Sequence, residues 1–197
     1  MKSGDICIVG KGNSLLDKKL GNNIDSHDII IRVNNLPTEL NKEQIGSTVS
    51  VISSRCKIKL KNLINDPFLK LSNPNVWVCS EMREYYTEFN CSLFEFMTKS
   101  EVNNISNLFP NFLKLNLHRY DKSRGFFMPD TGITTILLTS LRFPNKKIDV
   151  CGFDMYKKGN VNLYESKSNS SLFLTPVLQQ MLVYNHLIKS DIIRELK

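Results

Sequence analysis

The sequence predicts an α/β fold: a single domain in which helices flank a mainly parallel β-sheet. Five short apolar runs, each ended by polar residues or glycine, have the pattern of buried parallel strands. Helical patterns lie between several of these runs, and strands that alternate with helices form βαβ units. The length of 197 residues suits one such domain with a sizeable core.

Turn signals place the predicted strands. The first strand ends at Gly10, and the second is stopped by Pro37. The third follows Gly46, the fourth follows a turn at 72–75, and the fifth ends at Gly152. The predicted strands therefore cover residues 6–9, 28–33, 50–54, 76–80 and 148–151.

Apolar residues at helical spacing predict the helices. Pro144 closes one of them, and Pro176 lies in the first turn of the last one. The polar stretch 160–171 is typical of a surface loop rather than of a linker between domains. The predicted helices cover residues 57–71, 93–108, 131–141 and 176–188.

Composition excludes some classes of protein and leaves others open. With 41% hydrophobic residues and no long apolar run, the chain fits neither a disordered protein nor one with a membrane span. Its net charge of +7 suits an anionic small molecule, a nucleic acid or an anionic membrane surface as partner. Solubility alone would also explain the charge, so charge does not choose among these interpretations.

The N-terminus and the cysteines indicate a compartment. Residues 1–5 lead directly into the first strand without the apolar region of a signal peptide, so we expect a cytoplasmic protein of bacterial type. An odd number of widely spaced cysteines, with no CxxC pair, favours small buried side chains over disulfides or a zinc site. The cysteines are Cys7, Cys56, Cys79, Cys91 and Cys151.

A glycine-rich turn directly follows the first predicted strand. Gly10 and Gly12 would let the backbone approach an anion, and the amides at a helix start can bind phosphate. We expect Asn13 or Ser14 to cap the short helix that follows. The segment is neither a complete GxGxxG nor a Walker A loop, and a plain tight turn is the alternative.

Three further polar groups lie at predicted strand ends or helix starts. Asn34 ends the second strand, and Asp154 follows the fifth as either a turn acid or a ligand contact. Thr131 is expected to cap the helix 131–141, so that the exposed amides of Gly132 and Ile133 would form an anion site. Taken alone, each has a structural interpretation as a solvated strand end or an ordinary cap. In parallel sheets, however, ligands bind at these carboxyl ends.

The order and local sequence of these clusters resemble the sialyl motifs of animal-type sialyltransferases, glycosyltransferase family 29. Residues 7–15, 24–34 and 45–47 resemble the long motif, and residues 131–154 resemble the short motif. The smaller bacterial sialyltransferases are similar as well: they share a glycine-asparagine turn, an Arg-x-Asn strand end and a Gly-x-Asp-x-Tyr strand end. The resemblance is good over 6–54 and 126–165 and poor in the middle third.

The resemblance implies that residues 1–197 form one sialyltransferase-like catalytic domain, a Rossmann-like, GT-A-like variant. Lys197 follows the last predicted helix closely, which leaves room for a missing C-terminal extension. The resemblance also implies that this domain binds a CMP-activated acidic sugar, with the carboxylate or phosphate of that donor at Thr131 and Gly132. The resemblance places the nucleotide against Gly10, Lys11, Gly12, Asn13, Ser14, Asn34, Ser53, Ser54, Gly152, Phe153 and Asp154.

Two positions in the first motif compare differently with the family pattern: Lys11 departs from it, and His27 matches it. The family usually has asparagine directly after the first glycine of the turn, whereas this chain has Lys11. That lysine would either pair with the phosphate or point to solvent. His27 matches a turn histidine that is normally structural.

The expected catalytic base is missing. The family's third motif begins with histidine, and Asn162 stands at the matching position, where an amide cannot titrate. Glu165 or Asp154 would then be the base, or the chain is a weakened variant. Tyr156 and Tyr164 match hydroxyls that could donate to the departing phosphate.

The resemblance predicts transfer of sialic acid, or of a related sugar such as Kdo, from its CMP conjugate to an oligosaccharide or glycolipid acceptor. We expect a single displacement with inversion and no cofactor. We also expect no metal, because no Asp-x-Asp pair ends a strand. Lipopolysaccharide or capsule synthesis, with peripheral contact to the inner membrane, would suit this activity. The alternative is a non-catalytic Rossmann-like module that binds nucleotide or nucleic acid. Scattered basic residues and the absence of an RNA-recognition or helix-turn-helix signature argue against a nucleic-acid partner.

Overall fold

The described part of the chain forms a seven-stranded sheet whose paired strands are all parallel. The computed structural model describes residues 5–15, 17–34, 42–55, 74–79, 94–107, 129–154 and 174–197. The strands are β1 (Ile6–Val9), β2 (Ile29–Val33), β3 (Val51–Ser54), β4 (Asn75–Val78), β5 (Phe94–Phe96), β6 (Ile148–Cys151) and β7 (Ile193–Glu195). Their order across the sheet is β5-β4-β3-β2-β1-β6-β7.

The helices flank this sheet, which confirms the predicted fold class. The predicted helices 131–141 and 176–188 are confirmed, whereas 57–71 lies outside the described residues. Within the described ranges, no helix is both long and apolar enough to cross a bilayer. The helices within the described residues are α1 (Gly21–Asp25), α2 (Lys42–Ile45), α3 (Lys99–Asn107), α4 (Thr131–Arg142) and α5 (Leu174–Lys189), with a 3-10 helix at Asn13–Leu15.

Both faces of the sheet are covered, as its continuous apolar strands require. Successive side chains of a strand point to opposite faces. Ile6 and Ile8 of β1 accordingly join the core beneath α3, α4 and α5, whereas Cys7 and Val9 join the core beneath α1. All four residues are buried.

The strand order reverses beside β1. Strands β2 to β5 extend from one side of β1, and β6 and β7 pair on its other side. In open α/β sheets, such a reversal opens a crevice at the carboxyl ends of the two central strands. The glycine turn after β1 and the turn after β6 both lie at this point of the fold.

The predicted helix 93–108 is wrong over its first residues. Phe94–Phe96 is strand β5, paired with β4, and α3 begins only at Lys99. The Thr98 hydroxyl accepts from the Glu101 amide, and the Glu101 carboxylate accepts from the Thr98 amide at 2.7 Å. This capping box starts the helix at its observed position.

The described cysteines are buried and carry no disulfide, in line with the expected packing role. They are Cys7, Cys79 and Cys151, whereas Cys56 and Cys91 lie outside the described residues. Burial raises the pKa of the Cys79 thiol, although hydrogen bonds with Ser53 and Thr135 oppose this effect.

Candidate active site

The turn after β1 packs directly against the backbone that follows β6. The Gly10 amide donates to the Cys151 carbonyl at 2.8 Å, and the Gly12 amide donates to the Gly152 carbonyl at 2.7 Å. A Cβ on Gly10 would overlap the Gly152 carbonyl. Gly152 has a φ of +72°, and a Cβ there would lie 2.6 Å from a methyl group of Leu15. These glycines are therefore required first for the contact between the two turns.

Asp154 anchors the start of the 3-10 helix. One of its carboxylate oxygens accepts the Ser14 amide at 2.7 Å, and the other accepts the Ser14 hydroxyl. The cap thus comes from the far end of β6 rather than from Ser14 as predicted, while the side chain of Asn13 lies outside the described part. Of the two roles expected for Asp154, the structure shows that of a turn acid. A phosphate at this turn would use groups other than the Ser14 amide.

Asn34 and Ser54 meet at the ends of β2 and β3. Asn34 has a φ of 68°, a left-handed conformation that asparagine tolerates, and its amide donates to the Ser53 carbonyl at 2.9 Å. Its side-chain oxygen accepts the Ser54 hydroxyl at 2.7 Å. Because the oxygen is engaged, the carboxamide presents its NH₂ group away from Ser54. These two predicted site residues are brought together.

Ser53 points away from the crevice. Its side chain is fully buried, and its hydroxyl shares hydrogen bonds with Thr135 at 2.7 Å and with the Cys79 thiol at 3.0 Å. Strand alternation thus turns the Ser53 side chain into the core beneath α4, so only its backbone lies at the strand end. The expected contact between Ser53 and the nucleotide stays a prediction.

Asp130, and not Thr131, caps α4. Asp130 has extended backbone, and its carboxylate accepts the Ile133 amide at 3.0 Å. Thr131 is the first helical residue, and its carbonyl accepts the Thr135 hydroxyl at 2.6 Å. The predicted anion site at the helix start is correspondingly smaller. The amides of Thr131 and Gly132 precede the first intrahelical bond, whereas that of Ile133 is already paired.

Arg55 joins the site, and sequence reasoning missed it. It follows β3 directly, beside Ser54, and its guanidinium donates to the Pro129 carbonyl at 2.9 Å just before α4. Together with the exposed Lys11, Arg55 brings positive charge to the carboxyl edge of the sheet. A cation directly after a predicted strand end was the signal that could have identified it.

Comparison with known proteins assigns the family. Residues 5–175 match the family model of glycosyltransferase family 29 (sialyltransferase). The chain belongs to glycosyltransferase family 29. The predicted resemblance is thus confirmed.

Relatives of this family 29 chain include a curated enzyme and two solved structures. CMP-N-acetylneuraminate-beta-galactosamide-alpha-2,3-sialyltransferase 1 of Sus scrofa is 27% identical over 169 residues. The match covers 83% of this chain and 48% of the relative, so the chain spans about half the length of that protein. Bacterial origin stays a prediction, because these relatives are mammalian.

The two solved structures share the fold of the family 29 chain. Both are crystal structures of a mammalian sialyltransferase, one of them in complex with Gal-beta-1-3GalNAc-ortho-nitrophenol. Their TM-scores are 0.53 for the complex and 0.58 for the other structure, each at 19% identity. The matches cover 98% and 99% of this chain and 68% and 70% of the solved chains.

Several residues of the segment that resembles the long motif are structural. The Asp25 carboxylate accepts the amides of Ser47 at 2.8 Å and Thr48 at 2.9 Å. The buried Arg32 donates to the carbonyls of Thr48 and Ile45. Together they hold the connection from α2 into β3. Burial lowers the pKa of Arg32, and the guanidinium remains charged.

His27 is structural in this family 29 chain, as the resemblance predicted. It is buried, and its Nε2 lies 3.0 Å from a carboxylate oxygen of Asp149 in β6. Arg194 of β7 donates to the same carboxylate at 3.0 Å. The His27–Asp149 pair links the end of α1 to the sheet and does not reach the crevice.

Asp25→Asn is expected to lower the free energy of unfolding by about 1–2 kcal/mol, because its carboxylate accepts two backbone amides and a hydroxyl. Burial raises the pKa of Asp25, but the hydrogen bonds from Ser47 and Thr48 outweigh burial and leave the pKa below its usual value. The stabilisation is therefore complete above about pH 4 and is lost as the pH falls through the lowered folded pKa.

Urea unfolding of Asp25→Asn at pH 7 and pH 3 tests this expectation. The exposed Asp28 lies three residues away, and Asp28→Asn is the matched control. A loss of stability for Asp25→Asn that is as large at pH 3 as at pH 7 would contradict an effect of the carboxylate charge.

The proposed catalytic residues lie outside the described part of the chain. Tyr156, Asn162, Tyr164 and Glu165 all fall within 155–173, so their roles stay predictions. Among the described residues, no three His, Cys, Asp or Glu side chains are grouped as metal ligands. Metal independence likewise stays a prediction.

A cavity of about 730 Å³ lies on the opposite side of the sheet from the crevice, at the amino ends of the strands. It is lined at the amino ends of the strands by Trp77, Glu95 and Phe143, among other residues. The Arg142 guanidinium covers the Trp77 ring at 4.5 Å and pairs with Glu95 at 2.7 Å. Because parallel α/β sheets bind ligands at their carboxyl ends, the candidate site is the crevice and not this cavity.

Proposed function

We propose that this chain transfers a sialic acid, or a related acidic sugar such as Kdo, from its CMP conjugate to an oligosaccharide or glycolipid acceptor. Membership of family 29 supports the glycosyltransferase class. The observation that carries the proposal is the meeting of the Gly10–Ser14 turn with the Gly152–Asp154 turn where the strand order reverses. That position in an open parallel sheet suits a nucleotide.

The donor would lie along the carboxyl edge of the sheet. Since the Asn34 oxygen is held by Ser54, the Asn34 NH₂ group would donate to an acceptor atom of the nucleotide. Arg55 and Lys11 would offset the charge of the phosphate. The sugar carboxylate would meet the amides of Thr131 and Gly132, where helix geometry leaves N–H groups for an anion.

The reaction would be a single displacement with inversion. The acceptor hydroxyl attacks the anomeric carbon as the bond from that carbon to the phosphate oxygen of CMP breaks, and a base takes the hydroxyl proton. The negative charge moves onto the CMP phosphate. In a metal-free mechanism, the basic residues and the Tyr156 and Tyr164 hydroxyls would stabilise that charge.

Nucleotide binding tests the first half of the proposal. CMP should raise the melting temperature more than AMP or a short RNA does. Asn34→Ala should weaken CMP binding by about 1–3 kcal/mol, or about 5- to 150-fold, measured by calorimetry. Asn104→Ala on the exposed side of α3 is the matched control. Preferential stabilisation by RNA with steep salt dependence would favour the non-catalytic module instead.

Transfer tests the second half. CMP-sialic acid and CMP-Kdo should be compared as donors, with Gal-beta-1-3GalNAc, the glycan in one solved relative, as a first acceptor. Turnover should persist in excess EDTA, and the product should have the inverted anomeric configuration. Activity that disappears in EDTA and returns with Mn²⁺ or Mg²⁺ would overturn the metal-free mechanism.

A further inference from the structure

One face of α5 reaches both walls of the candidate crevice. Gln180 and Tyr184 are four residues apart on this helix and therefore lie on the same side of it. Both are buried, with 7% and 1% of their surface exposed. They follow residue 175, where the match to the family model ends.

Gln180 contacts the wall formed by the start of α4. Its side-chain oxygen accepts the Asp130 amide at 2.7 Å. Asp130 is the residue that caps α4, so this bond holds the first turn of that helix in place. The amides of Thr131 and Gly132, which the proposed donor would use, follow directly in the chain.

Tyr184 contacts the wall formed by the end of β6. Its ring stacks on Phe153, with the ring centroids 6.0 Å apart and the planes at 27°. Its hydroxyl donates to the Glu195 carboxylate of β7 at 3.0 Å. Burial and the neighbouring Glu195 raise the pKa of Tyr184, so the hydroxyl stays a donor throughout the physiological range.

Phe153 stands between the two residues that hold the glycine turn. On one side, the Gly152 carbonyl accepts the Gly12 amide, and on the other, the Asp154 carboxylate accepts Ser14. A shift of Phe153 that moves its backbone would displace both acceptors, because Gly152 and Asp154 are its neighbours in the chain. The Tyr184 ring limits such a shift.

We propose that the Gln180–Tyr184 face of α5 sets the spacing of the crevice walls, with Tyr184 a positioning residue that acts through Phe153 and Gln180 one that acts through Asp130. For its effect on catalysis, this inference rests on the proposed CMP-sugar transfer. The alternative is ordinary core packing, in which these side chains stabilise the fold and leave the crevice unaffected.

The experiment compares Tyr184→Leu, which removes the stacked ring, with Tyr184→Phe, which keeps the ring and loses only the hydroxyl. Ile105→Ala is the matched control, because Ile105 is a fully buried side chain of α3, a helix that follows β5 in the chain, and β5 is the strand at the other end of the sheet from β6 and β7. The readouts are the Kd for CMP by calorimetry and the hydrogen exchange rates of the Gly12 and Ser14 amides by NMR.

Tyr184→Leu should raise the Kd for CMP at least about fivefold and speed exchange at Gly12 and Ser14 at least about tenfold, whereas Tyr184→Phe should stay near wild type. Ile105→Ala should lower stability without raising the Kd. Gln180→Leu, which removes one hydrogen bond, should raise the KM for the CMP-sugar more than it lowers kcat. If Tyr184→Leu fails to fold, Gln180→Leu carries the test.

An unchanged Kd and unchanged exchange at Gly12 and Ser14 in Tyr184→Leu would overturn the inference. So would an unchanged KM in Gln180→Leu. If the wild type does not bind CMP, the proposed function fails, but the two exchange rates still test the positioning role. The failures of the two proposals are therefore distinguishable.

Discussion

Gly10→Ala is expected to lower the free energy of unfolding by at least about 3 kcal/mol. The added methyl group would overlap the Gly152 carbonyl, which is backbone and cannot rotate away. The Gly152 backbone is itself constrained, since its carbonyl accepts the Gly12 amide. The turns after β1 and β6 would have to separate, and the contact between them at the base of the crevice would be lost. Urea unfolding followed by circular dichroism measures the effect.

Gly12→Ala is the informative comparison. A Cβ at Gly12 would lie 2.5 Å from the Asp154 carboxylate, which is a side chain and can rotate. The loss of stability should therefore be smaller, about 1 kcal/mol, while Ser14 loses its anchor and CMP binding weakens. Gly10→Ala with wild-type stability would show that the turn after β1 does not pack against β6 as described.

The sequence indicated the fold well where strands are buried on both faces. Short, largely apolar runs such as Ile6–Val9 and Ile148–Cys151 are typical of strands buried on both faces, and both are interior strands of the sheet. The edge strands were missed for a physical reason. Phe94–Phe96 and Ile193–Glu195 have three residues each, too few to show a period, and their pairing with β4 and β6 depends on distant parts of the chain.

The candidate site was predictable as a location and less so in its contacts. Placing polar residues at carboxyl strand ends correctly brought Asn34 near Ser54 and Gly10 near Gly152. The inward orientation of Ser53 was not predictable, because in a strand buried on both faces the period does not show which side faces α4. The hydrogen bond from the Ser14 amide to Asp154 joins residues 140 positions apart, so no local sequence pattern predicts it.

The identity of the catalytic base leads to the last prediction. Both oxygens of Asp154 are engaged by Ser14, which leaves Glu165 as the stronger of the two carboxylate candidates. If the position of Asn162 faces the acceptor hydroxyl, as the family resemblance predicts, Asn162→His would place a base there. Turnover should then rise by about 10²-fold or more, the usual contribution of a general base.

The pH profile and a second variant decide whether the base acts from position 162 or from Glu165. With histidine as base, kcat of Asn162→His should rise with pH through an apparent pKa of about 6–7 and then level off, because only the neutral imidazole accepts a proton. The Kd for CMP should hardly change, since the base acts on the acceptor. Asn160→His, two residues away, is the control for a histidine elsewhere in the same segment.

Glu165→Gln gives the opposite outcome if Glu165 is the base. Turnover should then fall by about 10²- to 10⁴-fold, while Asn162→His has no effect. A rise in turnover for Asn162→His and a fall in turnover for Glu165→Gln cannot both arise from a single base, so the two variants separate the hypotheses. If neither variant nor the wild type transfers sugar while CMP still binds, the donor is a different CMP-sugar, or transfer requires a part of the protein beyond this chain. CMP-Kdo in place of CMP-sialic acid then distinguishes these last two cases, because only a wrong donor is corrected by changing the sugar.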